Sequence, residues 1–63
     1  MSNLPRLIYS YDNIVYAALG ELNATLEKTE SAWQFFNDAG EAAMEAGKPK
    51  LTNKYMEKAS MFE

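Results

Sequence analysis

The chain has 63 residues, 48% of them apolar, 13% aromatic and 24% charged. That is enough for one small domain, residues 1–63, and too apolar for a disordered chain. A net charge of −3 excludes a generally basic, phosphate-seeking protein, and the lack of cysteine excludes a disulfide framework and a thiolate metal site.

The first predicted element is a long helix. Leu4, Ile8, Tyr11, Val15, Ala18, Leu22 and Leu26 step by threes and fours, and Leu7, Ile14 and Leu19 flank them. A wide apolar band of this kind is expected to face a core. Asn3 is placed to cap the helix and Pro5 to sit in its first turn, so helix is predicted from Pro5 to Lys28. Thr29-Glu30-Ser31 is the first interruption. Ser31 with Gln34 fits a capping box, yet the apolar phase continues through Ala32, Trp33, Phe36, Ala39, Gly40 and Ala43, so a break and an unbroken helix both fit. Asn37-Asp38-Ala39-Gly40 is a second candidate break, with Asp38 and Glu41 as its capping pair, unless Gly40 is a packing glycine. The second helix ends near Ala46. Gly47 is the natural left-handed cap, and Pro49 follows it. A third helix is predicted over Pro49–Phe62, with Leu51, Tyr55, Ala59 and Phe62 on its apolar face. The short connection makes the second and third helices antiparallel neighbours.

Charge divides along the same lines. Residues 1–20 are neutral, 21–47 sum to −5 and 48–63 to +2. The basic third helix is therefore expected beside the acidic middle or as a solvated face. The longest strictly apolar run, Ile14 to Leu19, is far below the roughly 20 residues that span a bilayer. The first residues carry no signal-peptide pattern, so the expected address is cytoplasmic.

Chemistry-bearing patterns are sparse. Glu27 with Glu30, and Glu41 with Glu45, pair carboxylates on helix faces, but a di-iron bundle also needs Glu-x-x-His, and histidine is absent. Gly20, Gly40 and Gly47 are too scattered to cradle a phosphate. No nucleophile motif is present, and no catalytic residue, metal or cofactor is expected. Lys48, Lys50, Lys54 and Lys58 are a weak footprint for nucleic acid. Ala39, Gly40, Ala43 and Gly47 mark a small-residue seam where helices can approach closely. Tyr9 and Tyr16 are expected on the outer face of the first helix, with Asn13, Gly20, Asn23 and Glu27, opposite the Ile8–Val15–Leu22 stripe. Together with Phe35, at the flank of the second helix, they are the candidate partner-binding residues, while Trp33 and Phe36 are assigned to the core.

The stretch Phe36–Ala59 resembles a single tetratricopeptide repeat. Phe36 takes the first large position and Gly40 the small one, Gly47 ends the first helix, and Thr52, Met56 and Ala59 fall at the small, large and small positions of the second. Ala39 and Ala43 depart from the family by replacing large residues, and no second copy is found at the family's spacing. The resemblance implies a protein-binding scaffold.

The residues together predict an all-α domain of two or three amphipathic helices, a hairpin or small bundle. A domain of this size buries only about 60% of what its unfolded chain exposes, so it is expected to self-associate or to lean on another protein. The expected role is non-enzymatic protein–protein interaction, as an adaptor, assembly factor or small structural subunit. The alternative is a small acidic inhibitor, such as a virus-encoded one, that blocks a host enzyme. Neither a membrane nor a small-molecule substrate is expected as partner.

Overall fold

The apolar stripe in the first third of the chain forms a helix, but from residue 12 onward its most apolar side is not the covered one. A computed structural model describes residues 6–63, with side chains from residue 12 onward. Its three helices are α1 (Arg6–Thr25), α2 (Thr29–Glu45) and α3 (Pro49–Ser60). Asn3, Leu4 and Pro5 lie outside the described residues, as do the side chains of Leu7, Ile8, Tyr9 and Tyr11.

Two three-residue turns fold the helices back on one another. Glu27 adopts φ 62° and Gly47 φ 74°, the left-handed geometry that ends a helix and satisfies its last carbonyls. In the first turn the amide of Glu27 donates to Ala24 O at 3.0 Å and that of Lys28 to Asn23 O at 2.8 Å. In the second, Gly47 donates to Met44 O at 3.0 Å and Lys48 to Ala43 O at 2.9 Å. The predicted end at Gly47 is therefore correct. The predicted extension of the first helix to Lys28 is not, because the left-handed Glu27 stops it at Thr25. Nor does Ser31 open the second helix: α2 begins at Thr29, and Lys28 before it makes no side-chain cap. At Asp38 the helix runs on unbroken, and Gln34 Nε2 donates to Asp38 Oδ1 at 3.1 Å along its surface.

α2 lies between the other two helices and supplies most of the core. Ala32, Phe36, Ala39, Gly40 and Ala43 are all buried on it. A Cβ placed on Gly20 of α1 would come within 2.9 Å of the Phe36 ring, and one on Gly40 within 2.6 Å of the Met56 methyl of α3. Both glycines thus sit where a large side chain of the next helix leaves no room for a Cβ. The Phe36 ring also stacks on Phe62, at 5.9 Å between centroids and 12° between planes. The Lys58 ammonium stands 5.4 Å from the Phe36 centroid and pairs with Glu21 of α1.

The two hairpins are built alike at an offset of twenty residues. Gly20 faces Phe36 as Gly40 faces Met56. Leu26-Glu27-Lys28 corresponds to Ala46-Gly47-Lys48, and the buried Ala32 and Ala39 correspond to the buried Thr52 and Ala59. Each helix is one unit of this period.

Candidate interaction surface

Close approach fixes which side of α1 is covered. Seating the Phe36 ring of α2 against α1 requires small side chains there, and α1 offers them at Ala17, Gly20 and Ala24, on the side that also carries Asn13. Asn13 and Gly20 are buried, and Ala17 and Ala24 are half-buried. The face expected to point outward is therefore the one against α2. The expected core stripe is correspondingly open: Val15 and Leu22 are each 54% exposed, and Ile14, Ala18 and Leu26 are exposed as well. Single exposed apolar residues are ordinary, whereas a run of them along one helix is not.

Of the three candidate partner-binding residues, Tyr9 falls among the side chains outside the described residues. Tyr16 is half-buried rather than outward-facing. It lines an open cleft with Asp12 of its own helix and Asp38, Glu41, Ala42 and Glu45 of α2. Phe35 is half-buried on the flank of α2, and Trp33, assigned to the core, is half-buried too. Among the described residues no group of acidic side chains is arranged to hold a metal ion. The lysines of α3 and the Lys48 before it differ in their surroundings. Lys58 is engaged by Glu21 and the Phe36 ring, while Lys48, Lys50 and Lys54 are exposed. Among the described residues no helix is long and apolar enough to cross a membrane.

The open face of α1 is what residue-by-residue reading missed. The signal that reveals it is the twenty-residue period in the sequence, which pairs Gly20 with Gly40 and so marks the seam on α1.

Compared with known proteins, the chain matches no family model and no solved structure. It is similar to the eukaryotic elongation factor 2 kinase of Caenorhabditis elegans, with 62% identity over 32 residues. That stretch is 51% of this chain and only 4% of the kinase, so the similarity spans a small fraction of the relative's length.

Proposed function

We propose that this chain is a non-enzymatic interaction module that binds protein, another molecule or a copy of itself, through the apolar outer face of α1. The observation that carries this reading is the pair Val15 and Leu22, left open on a helix whose other side is packed, with the exposed Leu26 continuing the row in the turn. Apolar surface of this extent on a small domain is stabilised by being covered. Kinship with the tetratricopeptide family belongs to the same proposal. Its support is that Gly40 and Met56, at the small and large positions of that pattern, meet across α2 and α3.

The test compares the wild-type chain with Val15→Lys/Leu22→Lys in cross-linking from native cells and in sedimentation of the purified protein. We expect the double variant to keep its helical circular dichroism and to lose its cross-linked partners or its self-association. Identical behaviour of the two proteins would overturn the reading.

A further inference from the structure

The twenty-residue period identifies what the open face of α1 is shaped to receive. Each helix has a receiving side, by which it takes the helix before it, and a seam side, which it offers to the helix after it. On α2 and α3 the receiving side is covered. The buried Ala32, Phe36 and Ala39 recur as the buried Thr52 and Ala59 with Met56 between them, and the half-buried Phe35 and Ala42 recur as the half-buried Tyr55 and Phe62. Twenty residues earlier these stations fall on Asp12, Val15, Tyr16, Leu19 and Leu22 of α1. Val15, Leu19 and Leu22 are apolar like their counterparts, but Val15 and Leu22 stay open. The seam side of α3 is different. Its stations are Asn53, Glu57 and Ser60, exposed and polar, with Ser60 where α1 and α2 have glycine. The apolar receiving side is thus open at α1, whereas the open side of α3 is polar.

We propose that the outer face of α1, together with the open cleft that Tyr16 lines beside α2, is the seat for one more helix, antiparallel to α1, which lays a glycine or alanine over Tyr16 and an apolar flank along Val15, Leu19 and Leu22. This rests on the interaction reading above and names the partner's chemistry. The occupant is a helix of the kind that α1 itself presents to α2, since the contact continues the interface that Gly20 makes with Phe36 and Gly40 makes with Met56. A second copy of the intact chain does not supply it. Its Gly20 and Gly40 seams are covered internally, and its free seam carries the bulkier Ser60 beside Glu57.

The probe is a fluorescent peptide of the Arg6–Thr25 sequence, held helical by a lactam between Ile14→Lys and Ala18→Asp, in which the Gly20 seam is free. It is titrated into the full chain and followed by anisotropy. We expect saturable binding that weakens at least about tenfold, or about 1.4 kcal/mol, with Leu22→Lys or the milder Leu22→Gln in the protein, and equally with Gly20→Trp in the peptide. Absence of binding by a peptide shown to be helical overturns the proposal. So does binding indifferent to Leu22, which would mean that the peptide displaces α1 from α2, or binding indifferent to the peptide's Gly20, which would mean apolar pairing without a seam. Cross-linked partners that disappear in Val15→Lys/Leu22→Lys while the peptide fails to bind would leave the interaction reading standing and remove the seam helix alone.

Discussion

Gly20 and Gly40 hold the same station, but the neighbours they spare differ in stiffness. The Phe36 ring over Gly20 is rigid and 1% exposed, whereas the Met56 terminus over Gly40 is the far end of a flexible side chain. Overpacking costs about 1–3 kcal/mol where neighbours are fixed, against a helix-propensity gain of about 1 kcal/mol for alanine over glycine. Gly20→Ala is therefore expected to lower stability by about 1 kcal/mol, and Gly40→Ala to leave it level or raise it. Thermal melts of both variants check the difference in sign, since 1 kcal/mol moves Tm by about 4–8 °C in a domain of this size. The turns give a second pair. A residue with a Cβ in the left-handed region carries a penalty of about 1 kcal/mol that glycine escapes. Glu27→Gly should raise the melting temperature and Gly47→Ala should lower it, by about 1 kcal/mol each. Equal effects of one sign would show that the two turns are not equivalent in energy.

The middle helix carries two partners at once, so damage to its central ring reaches both hairpins. Phe36 touches Gly20 of α1 and Phe62 just past the end of α3. Removing a buried phenylalanine costs about 3–5 kcal/mol. A 63-residue domain at about 0.05–0.15 kcal/mol per residue holds roughly 3–9 kcal/mol in all. Phe36→Ala should therefore abolish most of the helical circular dichroism at 37 °C, and retention of a wild-type spectrum would mean that the ring is not the shared anchor. The same level shows what was readable in advance. The helical type of the elements followed from apolar spacing and the α2–α3 turn from Gly47 and Pro49, while their number stayed open between two and three. The orientation of α1 did not, because a periodic stripe tells which side is greasy and not which side is covered. Where a large ring such as Phe36 must seat against the facing helix, residue size outranks hydrophobicity, so Gly20 and Ala17 took the place assigned to Val15 and Leu22. The first turn was ambiguous for a related reason: Glu27 gives no hint in composition of the left-handed geometry that Gly47 announces.

Across the whole molecule, long-range electrostatics is a minor contributor. α1 and α3 are bridged by Lys58 and Glu21, both partly exposed. Pairs of this kind contribute about 0–1 kcal/mol and are screened by salt. Glu21→Gln should cost less than about 1 kcal/mol at low ionic strength and nothing measurable in 1 M salt. Lys58→Ala should retain part of its cost in salt, because the side chain also covers the Phe36 ring. Urea melts at the two salt concentrations separate the contributions.

The Gly20–Phe36 contact also equips the protein with a built-in reporter. Three adjacent atoms of the Phe36 ring stand nearly equidistant, at 2.9–3.0 Å, from the point where a Gly20 Cβ would be. The hydrogen that occupies that direction lies over an aromatic plane and is magnetically shielded by its circulating electrons. An upfield glycine proton in a one-dimensional nuclear magnetic resonance spectrum would register docking of the first two helices without any label. Its counterpart at Gly40 faces a thioether methyl and should remain at an ordinary frequency.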